Sequence, residues 1–414
     1  MKVRARIILA VILAFALTQC CLADAERSRN GRYIIHTTGA PAVNEKAGHC
    51  VEEHAGLILK ELATGTGLVT LISERAANHM KNIPGVVAVE PDVVVSAVKG
   101  PPPGRPRSGL EKHKPNQPEQ VVPWGVVRID AELAWNDATG SGIDIAIIDT
   151  GIDRDHKDLA YNLAGGVNFV GKKRGHWDDD SGHGSSVAGI AAAVDNSIGV
   201  VGAAPAARLW AVKVLDKNGN GYLSDVINGI YWAADKKKVG VINLSLGIEK
   251  ELLEQYPADL QLFQDAVDNA YEAGVVLVAA AGNSGNTNGT GDNVLYPARF
   301  ESVIAVAATD SYDNRAWYSS TGPSVELAAP GVSILSTLNN GLYKQTFSGT
   351  SAASPHAAAT AALVLSSDET LSNADVRLIL QETADDLGPL GDDDLYGFGL
   401  VDAEEAATAL ESSS

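Results

Sequence analysis

From residue 119 onward, short apolar runs rich in β-branched residues alternate with longer stretches of helical periodicity. The runs cover 143–149, 208–214, 239–246, 275–281 and 303–307; stretches such as 224–236 and 260–273 lie between them. A strand that is apolar throughout, rather than on every second residue, is buried on both faces. The alternation therefore predicts a three-layer α/β/α domain over residues 119–414, with a mainly parallel central sheet. Aromatic residues make up only 6% of the chain while 45% is hydrophobic, so small aliphatic side chains must fill the layers.

The preceding residues read differently. Lys2, Arg4 and Arg6 lead into an apolar run at 7–17, too short for a stable bilayer span, and Ala23-Asp24-Ala25 fits a small-x-small cleavage pattern. Residues 1–25 are thus expected to be a signal peptide, and the protein secreted. Lipid attachment at Cys20 is the weaker alternative, because Gln19 is bulky for it. Residues 26–98 carry strand-like runs at 32–37, 67–71, 86–90 and 93–98, with helical patterns at 45–61 and 74–81. This predicts a small α+β domain. Residues 99–118 are rich in proline, glycine and basic side chains without periodicity, and predict an extended linker. A frayed end is expected at 411–414.

Charge and cysteine content narrow the function classes. Residues 1–118 hold 15 basic and 10 acidic side chains; the other 17 and 41 give residues 119–414 a net charge of −24. Such a domain repels nucleic acid and anionic membranes, so neither is an expected partner. All three cysteines, Cys20, Cys21 and Cys50, precede residue 51, so the large domain has neither a disulfide nor a thiol nucleophile.

Four segments carry chemistry. Apolar residues run to Asp149 and are broken by Gly151, which places Asp149 at the carboxyl end of a strand, where ligands bind open α/β sheets. His183 lies between Gly182 and Gly184, ahead of a helix of small residues. Asn283 follows Gly282 at the end of another apolar run and projects a carboxamide donor. Ser351 follows Gly349 and precedes Pro355, which fits the first turn of a helix; there the free amides favour developing negative charge. Each has a plain structural alternative: a turn Asp, a structural His, a turn Asn, an N-cap Ser. Together they supply acid, base, oxyanion donor and nucleophile.

The blocks IDTGID at 148–153, DSGHGSSVAGI at 180–190, INLSLG at 242–247, AAAGN at 279–283 and GTSAASPHAAA at 349–359 resemble those of the subtilisin-like serine peptidases. The likeness covers about residues 119–407 and implies a serine endopeptidase acting on polypeptides through an acyl-enzyme. Ser351 is then the nucleophile, His183 the proton carrier, Asp149 its partner, and Asn283 with the Ser351 amide the oxyanion hole. The acid–His–Ser order and the lack of a G-x-S-x-G elbow oppose an esterase of the α/β-hydrolase type. The full set speaks against an inactive peptide-binding homologue, and a lipoprotein scaffold would need modified Cys20.

The resemblance implies more. Ser245, Leu246 and Gly247 would form one edge that pairs with substrate backbone, and Gly219 with Gly221 the other. Ala280 and Gly282 would border the pocket for the residue before the cut. Leu295 stands where the family often has a small residue, which predicts a shallow pocket. Ala352 replaces the common methionine after the nucleophile, and Ser186 a frequent second histidine. Structural Ca2+ is implied at a loop resembling the family's calcium loop: side chains of Gln120, Asp158 and Asn196, with carbonyls of Val194, Ile198 and Val200. Residues 26–98 resemble the family's propeptide, an intramolecular inhibitor, with self-cleavage expected near Val98 and trimming to about Glu119. The enzyme is expected to be a monomer. The acid runs 178–180 and 392–394 are expected to be solvated loops.

Overall fold

A computed structural model describes residues 30–101, 118–171, 175–237 and 239–409. The signal-peptide reading, most of the linker and the frayed end at 411–414 lie outside these residues. The chain divides into two compact units. One ends at Val93 and also takes in Tyr256–Asp259; the other comprises Val94–Gln255 and the residues from Leu260 onward.

Among the described residues the N-terminal unit contains four strands, β1 (Gly31–Thr37), β2 (Leu57–Glu61), β3 (Gly67–Ile72) and β4 (Val86–Pro91). They form an antiparallel sheet in the order β2-β3-β1-β4. Helices Pro41–Glu53 and Glu74–Met80 bury Ala47, Val51, Ala76, Ala77 and Met80 against Ile35, Leu68, Ile72 and Val89. The helical pattern expected over 45–61 is corrected here. The helix begins at Pro41, whose fixed φ suits a first turn, and ends at Glu53. Ala55 takes a positive φ of 56°, the chain turns, and Leu57–Glu61 pairs with β3 as a strand. Gly56 makes this possible: a Cβ there would lie 2.4 Å from Ile72. The second helix is capped by Ser73, whose hydroxyl accepts from the Ala76 amide at 3.2 Å.

The larger unit contains β5 (Val94–Ala97), β6 (Asp144–Asp149), β7 (Leu163–Asn168), β8 (Arg208–Lys213), β9 (Asn220–Tyr222), β10 (Val241–Leu244), β11 (Leu246–Gly247), β12 (Val276–Ala280), β13 (Ile304–Thr309), β14 (Leu327–Pro330), β15 (Ile334–Leu338) and β16 (Leu342–Phe347). Seven of them form the central sheet in the order β14-β13-β12-β10-β6-β8-β7, and every neighbouring pair is parallel. Alternate residues Ile145, Ile147, Val276, Val278, Ile304 and Val306 face one helical layer, formed by His183–Ala192, Thr350–Ser367 and Ala403–Thr408. The opposite set includes Ile148 and Val212, which lie against Gly229 of helix Leu223–Tyr231. The expected three layers are thus present. The Thr350–Ser367 helix is buried from Thr350 through Leu365. A helix enclosed on all sides must be apolar all round, and its alanine-rich sequence lets it approach the sheet closely. Strand β7, with its two central glycines, and the antiparallel β15–β16 hairpin do not read as apolar runs, and the apolar run of β14 is only four residues long.

Candidate active site

The chain passes from β6 to β7 and β8 on one side of β6 and later to β10 on the other, so the connections diverge at the carboxyl end of β6. Such a switch point leaves a crevice above the sheet. Asp149, the last residue of β6, is fully buried there. Its Oδ1 accepts the Thr150 amide at 2.6 Å, and its two oxygens lie 2.8 and 2.9 Å from His183 Nδ1.

His183 opens the helix His183–Ala192. Gly182 before it has φ +94°, and a Cβ on Gly184 after it would lie 2.2 Å from the Gly151 carbonyl oxygen. Both glycines are therefore required for the helix end to reach the tip of β6. His183 Nε2 is buried with no hydrogen-bond partner among the described residues, and the ring stands edge-on to Phe347 with centroids 5.4 Å apart.

Asp179 holds this corner. Its Oδ1 accepts from the Thr150 hydroxyl and the amides of Ser181 and Gly182; its Oδ2 accepts from the amide and hydroxyl of Ser185. Thr150 Oγ1 in turn accepts the Gly184 amide at 2.9 Å. Buried Lys213 donates to the carbonyls of Thr150 and Leu215 and to Asp180 Oδ1 at 2.7 Å. The acid run 178–180 is thus not merely a solvated loop: Asp179 is buried and ties the tip of β6 to the His183 helix. The signal that could have found it was its place just before a glycine-flanked histidine. Asp393 of the other run is also engaged, accepting the amides of Leu395 and Tyr396.

Ser351 is the second residue of its helix and is fully buried. The Asn283 carboxamide is fixed against the start of that helix, with Oδ1 accepting the Thr350 amide at 3.0 Å and the Thr350 hydroxyl at 3.2 Å. This leaves Nδ2 free to donate to the carbonyl oxygen of Val98 at 3.2 Å. The Ser351 hydroxyl oxygen lies 2.5 Å from the same carbonyl oxygen and 3.1 Å from that of Ser245. Ser354 does not join this group. Its hydroxyl donates to Asn243 Oδ1, Asn243 donates to the Ser245 hydroxyl, and Ser245 donates to the Ser351 carbonyl. His356 is also apart: burial pushes its imidazole down to about 4, so it is neutral, and its Nδ1 lies 2.8 Å from the Ala352 carbonyl.

Val98 directly follows β5, the middle strand of a three-stranded sheet. Leu246 pairs with Ala97 and Gly247 with Ser96 on one side; Tyr222, Gly221 and Asn220 pair with Val94, Val95 and Ser96 on the other. The Ala97 amide donates to the Gly219 carbonyl and the Val98 amide to that of Ser245. Both expected edges thus flank this segment. Val98, Ala280 and Leu295 form one buried apolar cluster. Leu295 also lies against Gly247 and Gly282: a Cβ on either would lie 2.8 or 2.7 Å from its side chain.

The six residues of the expected cation loop are linked by hydrogen bonds and a bridge to Glu119. Gln120 Oε1 accepts the Asn196 amide at 2.6 Å, and Asn196 Nδ2 donates to Asp158 Oδ1 at 3.2 Å. Asp158, fully buried, accepts the Val200 amide at Oδ2 and the Val194 amide at its carbonyl. Ile198 bridges to Glu119 and its amide donates to Asn196 Oδ1.

Comparison with known proteins agrees with this geometry. The profile of the subtilase family matches residues 140–399. Subtilisin E of Bacillus subtilis (strain 168) is 38% identical over 388 residues, 93% of this chain and 92% of its own length. The subtilisin of Bacillus pumilus is 45% identical over 289 residues, 70% of this chain and 99% of its own, and subtilisin Savinase of Lederbergia lenta is 43% identical over 288 residues. The chain belongs to the subtilase family and is a serine-type endopeptidase.

Proposed function

We propose that the chain is a secreted zymogen that cuts itself first between Val98 and Lys99. The observation that carries this reading is the Val98 carbonyl, which meets Ser351 Oγ and Asn283 Nδ2 while its strand is paired on both sides. Ser351 Oγ attacks the Val98 carbonyl carbon. Its hydroxyl, turned towards the carbonyls of Val98 and Ser245, must swing its proton towards His183 Nε2, a buried nitrogen with no hydrogen-bond partner among the described residues. Asp149 fixes the ring with its proton on Nδ1 and stabilises the imidazolium that forms. Asn283 Nδ2 and the Ser351 amide hold the oxyanion. The bond to Lys99 nitrogen then breaks, His183 returns the proton to that amine, and water releases the acyl group by the same route in reverse.

In this reading residues 1–25 are a signal peptide, 26–98 an inhibitory propeptide, 99–118 a linker trimmed to about Glu119, and 119–414 a monomeric peptidase. The match to subtilisin E supports the precursor, because 93% coverage must extend into the residues before 118. Among the described residues no helix is long and apolar enough to cross a membrane. Backbone pairing through Gly219, Gly221, Ser245, Leu246 and Gly247 gives broad tolerance for polypeptide substrates, while Ala280, Gly282 and Leu295 restrict the residue before the cut. Gln120, Asp158, Asn196 and the carbonyls of Val194, Ile198 and Val200 offer an all-oxygen set suited to a hard cation, and Ca2+ there would tie the start of the mature enzyme to its core.

The test is a timed incubation of the purified precursor beside its Ser351→Ala version, followed by intact mass and casein hydrolysis. Wild type should release a fragment ending at Val98 and gain activity; Ser351→Ala should stay whole and inert. Equal behaviour of the two would defeat the reading.

A further inference from the structure

The N-terminal unit holds a buried polar cluster that peptide hydrolysis does not use. His36 on β1 places Nε2 2.7 Å from Asp259 Oδ1, and the Asp259 amide donates to Glu90 Oε2 on β4 at 2.9 Å. One ligating atom from each of His36, Glu90 and Asp259 lies within 4.8 Å of the other two. His36 is nearly and Asp259 fully buried. The second Asp259 oxygen, Oδ2, is buried with no hydrogen-bond partner among the described residues. An orphaned carboxylate oxygen is costly unless a proton or cation reaches it. Burial, with Glu90 and Asp92 nearby, pushes the Asp259 carboxyl up to about 6. Asp92 pairs with Arg32 at 2.6 Å.

We propose that His36, Glu90 and Asp259 bind a divalent transition-metal ion of the zinc type. One imidazole and two carboxylates suit zinc or cobalt, whereas calcium and magnesium favour all-oxygen sets. Three protein ligands leave a fourth position for water. The ion takes the lone pair of His36 Nε2, the hydrogen bond to Asp259 Oδ1 opens, and the proton it held passes to solvent. Affinity therefore falls as pH falls, and binding releases protons.

The full-length Ser351→Ala chain, stripped with chelator, would be titrated with Co2+ and then Zn2+. One Co2+ per chain should bind with the visible absorption of a four-coordinate site, resist excess Ca2+ and be displaced by Zn2+. His36→Ala should abolish the band, and Glu90→Gln should weaken binding about tenfold or more. His79→Ala should leave it unchanged; His79 stacks on His54 beside Cys50 in a separate cluster. Circular dichroism checks folding, and Glu90→Gln decides if His36→Ala does not fold. An absent band, or a band lost with His79→Ala and kept with His36→Ala, overturns the site.

Discussion

Leu295 packs against Val98, with Ala280 completing the cluster. The residue before the proposed cut therefore meets an aliphatic floor rather than an open slot. Wild-type enzyme should prefer small aliphatic residues there, and Leu295→Gly should raise kcat/KM for phenylalanine or tyrosine at that position by at least about tenfold. A peptide series varied at that one position measures it. Removing the leucine side chain should also cost about 2–5 kcal/mol of stability where the cavity stays empty.

Asn283 reaches the Val98 carbonyl through Nδ2 alone, because its Oδ1 is committed to Thr350. Asn283→Leu should lower kcat by about 10²–10³ with little change in KM; that magnitude is itself a subtilisin measurement. An equal rise in KM instead would make Asn283 a ground-state binding group.

Calcium removal should destabilise the enzyme through the Gln120–Asp158–Asn196 cluster. Binding at a hundredfold excess over Kd contributes about 2.7 kcal/mol, so chelator should lower Tm by several degrees. Asp158→Asn and Asn196→Ala should each blunt that response. A chelator shift unchanged in both variants would place the ion elsewhere.

Asp292 receives Arg299 at 2.5 and 2.9 Å and Lys250 at 3.0 Å; the Arg299 hydrogen bonds above all hold its carboxyl down at about 2. The unfolded value is about 3.9, so the folded state favours the ionised form. This contribution is present above about pH 4 and is lost as pH falls towards 2. Part of Asp292 is exposed, so solvent weakens the effect. Urea midpoints at pH 6 and pH 2.5 should differ less in Asp292→Asn than in wild type.

Ala352 follows the nucleophile and is fully buried, and the chain has no methionine after Met80 and no cysteine after Cys50. The processed enzyme should keep its activity in peroxide, since it lacks the sulfur that peroxide attacks. Ala352→Met should confer sensitivity. Loss of wild-type activity at low peroxide would mean that another side chain is the weak point.

Much was legible because it is local. Strands buried on both faces must be apolar throughout, so β6, β8, β10, β12 and β13 stood out, and Asp149 and Asn283 followed from where those runs break. Glycines around His183 and Ser351 marked helix starts pressed against other backbone. The sequence alone therefore determined the layered fold and the types of groups available for chemistry. Tertiary structure decided what depends on distant neighbours. Helical periodicity did not foresee β2, which is a strand because β3 offers it an edge to pair with. Asp179 read as a solvated acid until folding set five donors from Thr150, Ser181, Gly182 and Ser185 around it. The same holds for Val98: family resemblance marks its neighbourhood for cleavage, but pairing of β5 with β9 and β11 sets its carbonyl against Ser351, 253 residues away.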